Sequence, residues 1–129
     1  MKRDFDLIRA ILLDIECNVP AVPIKYGYNF DHSDRDAVAF ALHLMEQRGL
    51  IEAFHNKEMG LHDADKYLQV KLTWEGCDFL DTIRDDEIWR KTKEGVRQAG
   101  GFSFELMKAL AKGMIKKKIE LHTGVDLEL

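Results

Sequence analysis

Apolar residues recur at helical spacing from the start of the chain, at Phe5, Ile8, Ile11, Leu12 and Ile15. Asp4 and Asp6 stand where a helix start favours acceptors and negative charge. This first amphipathic helix is predicted to end by Asn18, because Pro20 and Pro23 remove backbone donors and push the residues before them towards extended geometry. Residues 19–32 then read as an irregular or short-strand connection. Ser33 as N-cap, with Asp36 following in the manner of a capping box, predicts a second helix with Val38, Ala41, Leu42 and Met45 on one side. Gly49 ends it.

The period then changes. Leu50-Ile51-Glu52-Ala53-Phe54 has strand composition, and Tyr67 to Leu72 predicts a second strand alternating through Leu68, Val70 and Leu72. The polar stretch His55 to Lys66 between them predicts a β-hairpin with a long exposed tip. Thr73 caps a third helix carrying Trp74, Cys77, Leu80 and Ile83. Asp85-Asp86 marks its end and the start of a fourth helix with Ile88, Trp89 and Val96, closed by Gly100-Gly101. Ser103 caps the last and longest helix, whose stripe is Leu106, Met107, Leu110, Met114, Ile115 and Ile119, and Gly124 ends it.

Helix, connection, helix ending in Gly-Leu-Ile, hairpin, then a further helix is the order of a winged helix. The expected fold is therefore mostly α with a small β-hairpin. A winged-helix-like domain over residues 1–85 carries two additional C-terminal helices, 86–129, packed on it as a single folding unit. Ala37 to Arg48 would be the recognition helix and His55 to Lys66 the wing tip. The helix that normally precedes the recognition helix has no clear counterpart in 19–32.

Composition narrows the class. At 129 residues, 46% apolar and 33% charged, the chain has the length of one ordinary domain and enough apolar residues for a core. Cys17 and Cys77 form no CxxC pair, so a disulfide framework or zinc knuckle is not expected, and both thiols read as reduced core residues. The start has no apolar signal-peptide region, and no apolar run approaches the ~20 residues of a membrane span. The expectation is a soluble cytoplasmic protein with no membrane partner.

Particular segments carry a resemblance. Met1-Lys2-Arg3-Asp4, Asp6-Leu7-Ile8-Arg9, His43-Leu44, Gly49-Leu50-Ile51 and Leu72-Thr73-Trp74-Glu75-Gly76 resemble domain-of-unknown-function family 2513 of bacteria and phages. The similarity continues through Asp78-Phe79-Leu80-Asp81 and Ile83-Arg84-Asp85-Asp86 to Trp89, Lys91, Lys93 and Ser103-Phe104, and Leu72 to Gly76 is its most specific part. The resemblance implies a winged-helix-like domain in a phage or mobile-element setting, and it brings no reaction, ligand or catalytic residue. Cys77 stands where that family suggests a histidine, so no histidine-dependent role carries over to it.

No spacing predicts a catalytic set, a metal site or a cofactor, and the chain is not expected to be an enzyme. His55, His62, Asp63 and Asp65 fit no established ligand pattern and read as solvated loop residues. Gly95, Gly100 and Gly101 lack the strand-loop-helix context of a phosphate loop. Trp74 and Trp89 read as core aromatics rather than a stacking platform, and Met107 and Met114 as core fillers.

Charge decides where a nucleic acid would lie. The net of −4 resolves into −8 over residues 1–87, +7 over 88–119 and −3 over 120–129. The recognition helix (34–48) and the wing each carry −1. Base readout, if present, would use Arg35, His43, Gln47 and Arg48, with Lys57 on the wing. The basic block is Arg90, Lys91, Lys93, Arg97, Lys108, Lys112, Lys116, Lys117 and Lys118. It reads either as a solvated helix face or as a surface for a polyanion. Two functions follow as expectations: a DNA-binding or transcription-regulatory protein with duplex DNA as partner, or a non-enzymatic protein-interaction module that can form a homodimer through its C-terminal helices.

Overall fold

A computed structural model describes residues 2–18, 28, 30–32, 34–55, 67–100 and 103–127. It is mostly helical with one two-stranded antiparallel hairpin, in the order α1 (Phe5–Asn18), α2 (Arg35–Gln47), β1 (Ile51–His55), β2 (Tyr67–Leu72), α3 (Trp74–Ile83), α4 (Asp86–Gln98) and α5 (Phe104–Thr123). This arrangement is compatible with a winged helix. The chain divides into two units, Met1–Asp78 and Phe79–Leu129, with the division inside α3.

In the first unit, the Asp4 carboxylate accepts the Leu7 N–H at 3.0 Å and starts α1 as expected. Phe5, Leu7, Ile8, Ile11, Leu12 and Ile15 are buried. Cys17 is exposed, contrary to the core assignment, because it lies half a turn away from the Ile8–Ile15 stripe. The N-cap of α2 is Asp34, not Ser33: its carboxylate accepts the Ala37 N–H at 3.1 Å, while Ser33 lies outside the described residues. An Asp there combines an acceptor with a charge that the helix dipole favours.

The end of α2 is a Schellman turn. Gly49 adopts φ +79°, its N–H donates to the Glu46 carbonyl, and the Leu50 N–H donates to the Met45 carbonyl at 2.9 Å. Buried Leu50 then leads straight into β1. The hairpin pairs Ile51 with Leu72 through Phe54 with Gln69, then shifts so that His55 faces Tyr67. This bulge leaves Leu68 without a register partner; Val70 is buried as expected, Leu72 is half-buried, and Tyr67, across the register shift, is buried as well. Tyr28 is only 2% exposed, donates its N–H to the Tyr67 carbonyl, and donates its hydroxyl to Asp14 of α1. The other residues of the Pro-containing connection, 19–27 and 29, lie outside the described residues.

The Leu72 to Gly76 segment has a local physical basis. The Thr73 N–H donates to the Leu50 carbonyl at 3.1 Å, its hydroxyl donates to the Gly49 carbonyl, and its Oγ1 accepts the Gly76 N–H at 3.0 Å. A Cβ on Gly76 would sit 1.9 Å from the Leu50 carbonyl oxygen, so the backbones approach as only glycine allows. Gly76 is buried there, and Phe79, Leu80 and Ile83 further along the helix are buried too. Trp74 is 81% exposed and Cys77 is also exposed, which corrects their assignment to the core.

The second unit contains the end of α3 and the antiparallel pair α4–α5. Asp85 caps α4 through the Ile88 N–H at 2.9 Å, and Ser103 caps α5 through the Leu106 N–H. Ile88, Trp89, Thr92 and Val96 of α4 and Met107 and Ala111 of α5 are buried, as expected for Trp89 and Met107. A Cβ on Gly95 would come 2.7 Å from Leu110 Cδ2, and the Thr92 hydroxyl meets Met114 Sδ at 3.8 Å. The Phe79 and Phe104 rings lie 4.7 Å apart. Leu106 and Ile119, expected in the stripe of α5, are exposed. Gly100 and Gly124 close α4 and α5 with positive φ, at +96° and +73°. No helix among the described residues is long and apolar enough to cross a membrane.

Candidate nucleic-acid interface

One side of α2 is fully committed to the core through Val38, Ala39, Ala41, Leu42 and Met45. Helical geometry puts Asp36, Phe40, His43 and Gln47 on the other side. Asp36, His43 and Gln47 are exposed and Phe40 is half-buried, so the outward row is largely uncharged in its second half. Two expected readout residues, His43 and Gln47, thus share a face. Arg35 and Arg48 do not join them: they stand at opposite ends of the helix, about 20 Å apart. Arg35 is half-buried, with its guanidinium donating to the Phe30 carbonyl at 3.4 Å, and Arg48 is the exposed C-cap residue.

The hairpin stem lies next to α2. His55, expected at the wing tip, is the last residue of β1, and its Nε2 meets the Glu46 carboxylate at 2.7 Å while its ring lies 4.6 Å from that of Tyr67. This contact ties the base of the wing to the last turn of α2, and sequence spacing held no signal for it. Outward on the stem are the Glu52–Lys71 ion pair at 3.2 Å and Phe54, 62% exposed. Lys57 and the other wing-tip residues, His62, Asp63 and Asp65 included, lie outside the described residues. Among the described residues, no group of three or more His, Cys, Asp or Glu is placed to hold a metal ion.

The basic block is partly compensated where it folds. Lys91 pairs with Glu87 at 3.0 Å and Lys118 with Asp85 at 3.2 Å, while Arg90–Glu94 and Lys116–Glu120 are looser at 3.9 Å. Lys93 lies over the Trp89 ring and Lys108 over the Phe104 ring, at 5.6 and 5.8 Å from the centroids. Arg97, Lys112 and Lys117 are exposed. The Ile88 N–H, then the Lys118 ammonium, hold the Asp85 carboxyl below its ordinary value, and Lys91 does the same for Glu87. Counted by structural unit, Phe79–Leu129 has ten basic and nine acidic residues, and Met1–Asp78 has nine basic and fourteen acidic. The +7 of residues 88–119 thus becomes +1, because Arg84 and the acids Asp81, Asp85, Asp86, Glu87, Glu120, Asp126 and Glu128 belong to the same unit.

A helix presenting one outward polar row, followed by a hairpin and a glycine-seated third helix, defines a mostly α, winged-helix-compatible class of chain. Residues 2–103 match the family described as "Hypothetical protein (DUF2513)", and the chain belongs to that family. It is 31% identical over 120 residues to an uncharacterized protein of Haemophilus influenzae, covering 92% of this chain and 99% of that relative. No solved structure matches the chain.

Proposed function

We propose that the chain is a winged-helix-like DNA-binding regulatory protein of phage or mobile-element type, acting in the cytoplasm and without an enzymatic role. The carrying observation is the exposed row of α2, in which His43 and Gln47 project from a helix whose opposite side is buried. Both side chains can hydrogen-bond base edges in a major groove, and Gln matches the donor and acceptor pattern of adenine. The low charge of that row implies that phosphate contacts come from elsewhere. Arg48, exposed at the end of the same helix, is the candidate.

Selection from a randomised duplex pool at low salt, with the full chain, tests this reading. Enrichment of a defined sequence, with affinity falling as salt rises, is the expected result. Failure to retain any duplex at low salt refutes it. A second reading, a protein-interaction module, is favoured by one observation: Trp74 and Phe54 are largely solvent-exposed, and aromatic side chains are enriched among the anchors of protein interfaces.

A further inference from the structure

Trp74 is the largest apolar side chain left in solvent, and base readout by α2 gives it no role. It lies at the start of α3 with Asp78 one turn along the same face and Glu75 beside it. Both carboxylates belong to exposed residues, and neither has an ion-pair partner among the described residues. Asp81, the next acid along α3, is already paired with Arg84 at 2.8 Å. The patch is therefore an aromatic surface edged by uncompensated negative charge.

The complement lies on this same chain. Along α5, Lys108, Lys112, Ile115 and Ile119 follow one another at spacings of four, three and four residues and so share a face, basic in its first half and apolar in its second. Lys112 has no ion-pair partner among the described residues, and Ile119 is 38% exposed. Laid antiparallel, the two rows match: Trp74 covers Ile115 and Ile119 while Asp78, about 6 Å along α3, meets Lys112. Glu75 then flanks the same lysines.

We propose that the Trp74–Asp78 face of α3 docks the Lys108–Ile119 face of α5 from a second copy of this chain. The occupant is a second copy because the chain carries the complementary charge and the apolar seat at matching spacing. Each copy carries both faces, so the contact joins two copies of this chain. Screening by salt weakens it, while the tryptophan supplies the anchor. The proposal does not depend on DNA binding.

Sedimentation and light scattering of the full chain over a concentration series, at low and high salt, test it. The expected result is a concentration-dependent dimer that loosens in high salt. Trp74→Ala raises the half-association concentration at least ~tenfold. Asp78→Lys and Lys112→Glu each weaken the dimer, and the double variant Asp78→Lys/Lys112→Glu restores it. All these side chains lie at the surface, so unchanged circular dichroism confirms that each variant is folded. A wild-type chain that stays monomeric at every concentration overturns the proposal. So does a dimer indifferent to Trp74→Ala and to both single reversals. Binding of an oligo-arginine peptide that protects Trp74 from quencher in a monomeric chain assigns the face to another protein and equally overturns it.

Discussion

Replacing Gly76 with alanine adds one methyl group where there is no room for it. The new Cβ would meet the Leu50 carbonyl oxygen at 1.9 Å and its carbonyl carbon at 2.9 Å, both backbone atoms that no rotamer change can clear. The start of α3 must move off the Gly49–Leu50 turn, which endangers the Thr73 N–H to Leu50 and Thr73 hydroxyl to Gly49 hydrogen bonds. Overpacking of this kind costs roughly 1–3 kcal/mol and each lost hydrogen bond about 1 kcal/mol. A total near 3–5 kcal/mol is a large share of the ~5–15 kcal/mol that stabilises a typical domain. For a chain of this size it lowers the melting temperature by roughly 10–20 °C. Gly113→Ala is the internal control: it lies in the interior of α5 with nothing within 4 Å of its added Cβ, so it should stabilise by roughly 0.5–1 kcal/mol. Thermal and urea unfolding followed by circular dichroism read both. A Gly76→Ala chain that melts within a degree or two of wild type refutes the seating of α3 on Leu50.

Tyr28→Phe removes the hydroxyl that donates to Asp14 while keeping the buried ring, and should destabilise by about 1–2 kcal/mol in urea titration. Burial, reinforced by Asp14, holds the Tyr28 phenol neutral far above its ordinary value of 10.0, so its contribution persists below that value and is lost as alkaline pH forces ionisation. Tyr28→Phe should therefore flatten the alkaline arm of the stability profile. Asp85 behaves oppositely: its folded pKa lies below the ordinary 3.8, so its stabilisation is present above that value and is lost as pH falls through the depressed one. Asp85→Asn keeps an N-cap but loses the Lys118 pair, and its acid melting profile should be flatter than wild type as the pH falls below the ordinary carboxylate value.

What could be read from the sequence was what local chemistry decides. Asp4, Thr73, Asp85 and Ser103 act as helix caps, and Gly49 and Gly124 as stops, because each satisfies backbone groups within a few residues of itself. Both strands and the mostly helical class followed from the same periodicities. The orientation of α3 was less legible, since its ten residues carry apolar groups at two phases: Trp74–Cys77 and Phe79–Leu80–Ile83. Contacts distant in sequence decide between them: Gly76 against Leu50, and Phe79 against Phe104. The register shift beside His55 depends on the pairing of two strands, so alternation along one of them did not mark Tyr67 as a buried position. In the candidate site, His43 and Gln47 are exposed because the apolar period of α2 commits the opposite face to the core, whereas the contact of His55 with Glu46 joins two elements whose sequence pattern carries no mark of it. The basic block was overstated for a simple reason: a window starting at residue 88 omits the acids one turn earlier that pair with it.

The most direct test of the central claim is the affinity of the full chain for its selected duplex, measured across a salt series for wild type and for Gln47→Ala. If α2 reads bases with an uncharged row, the substitution weakens binding by ~1–3 kcal/mol, relaxes preference at one base pair and leaves the salt slope unchanged. Wild-type and Gln47→Ala chains that bind with equal affinity and equal sequence preference would contradict it.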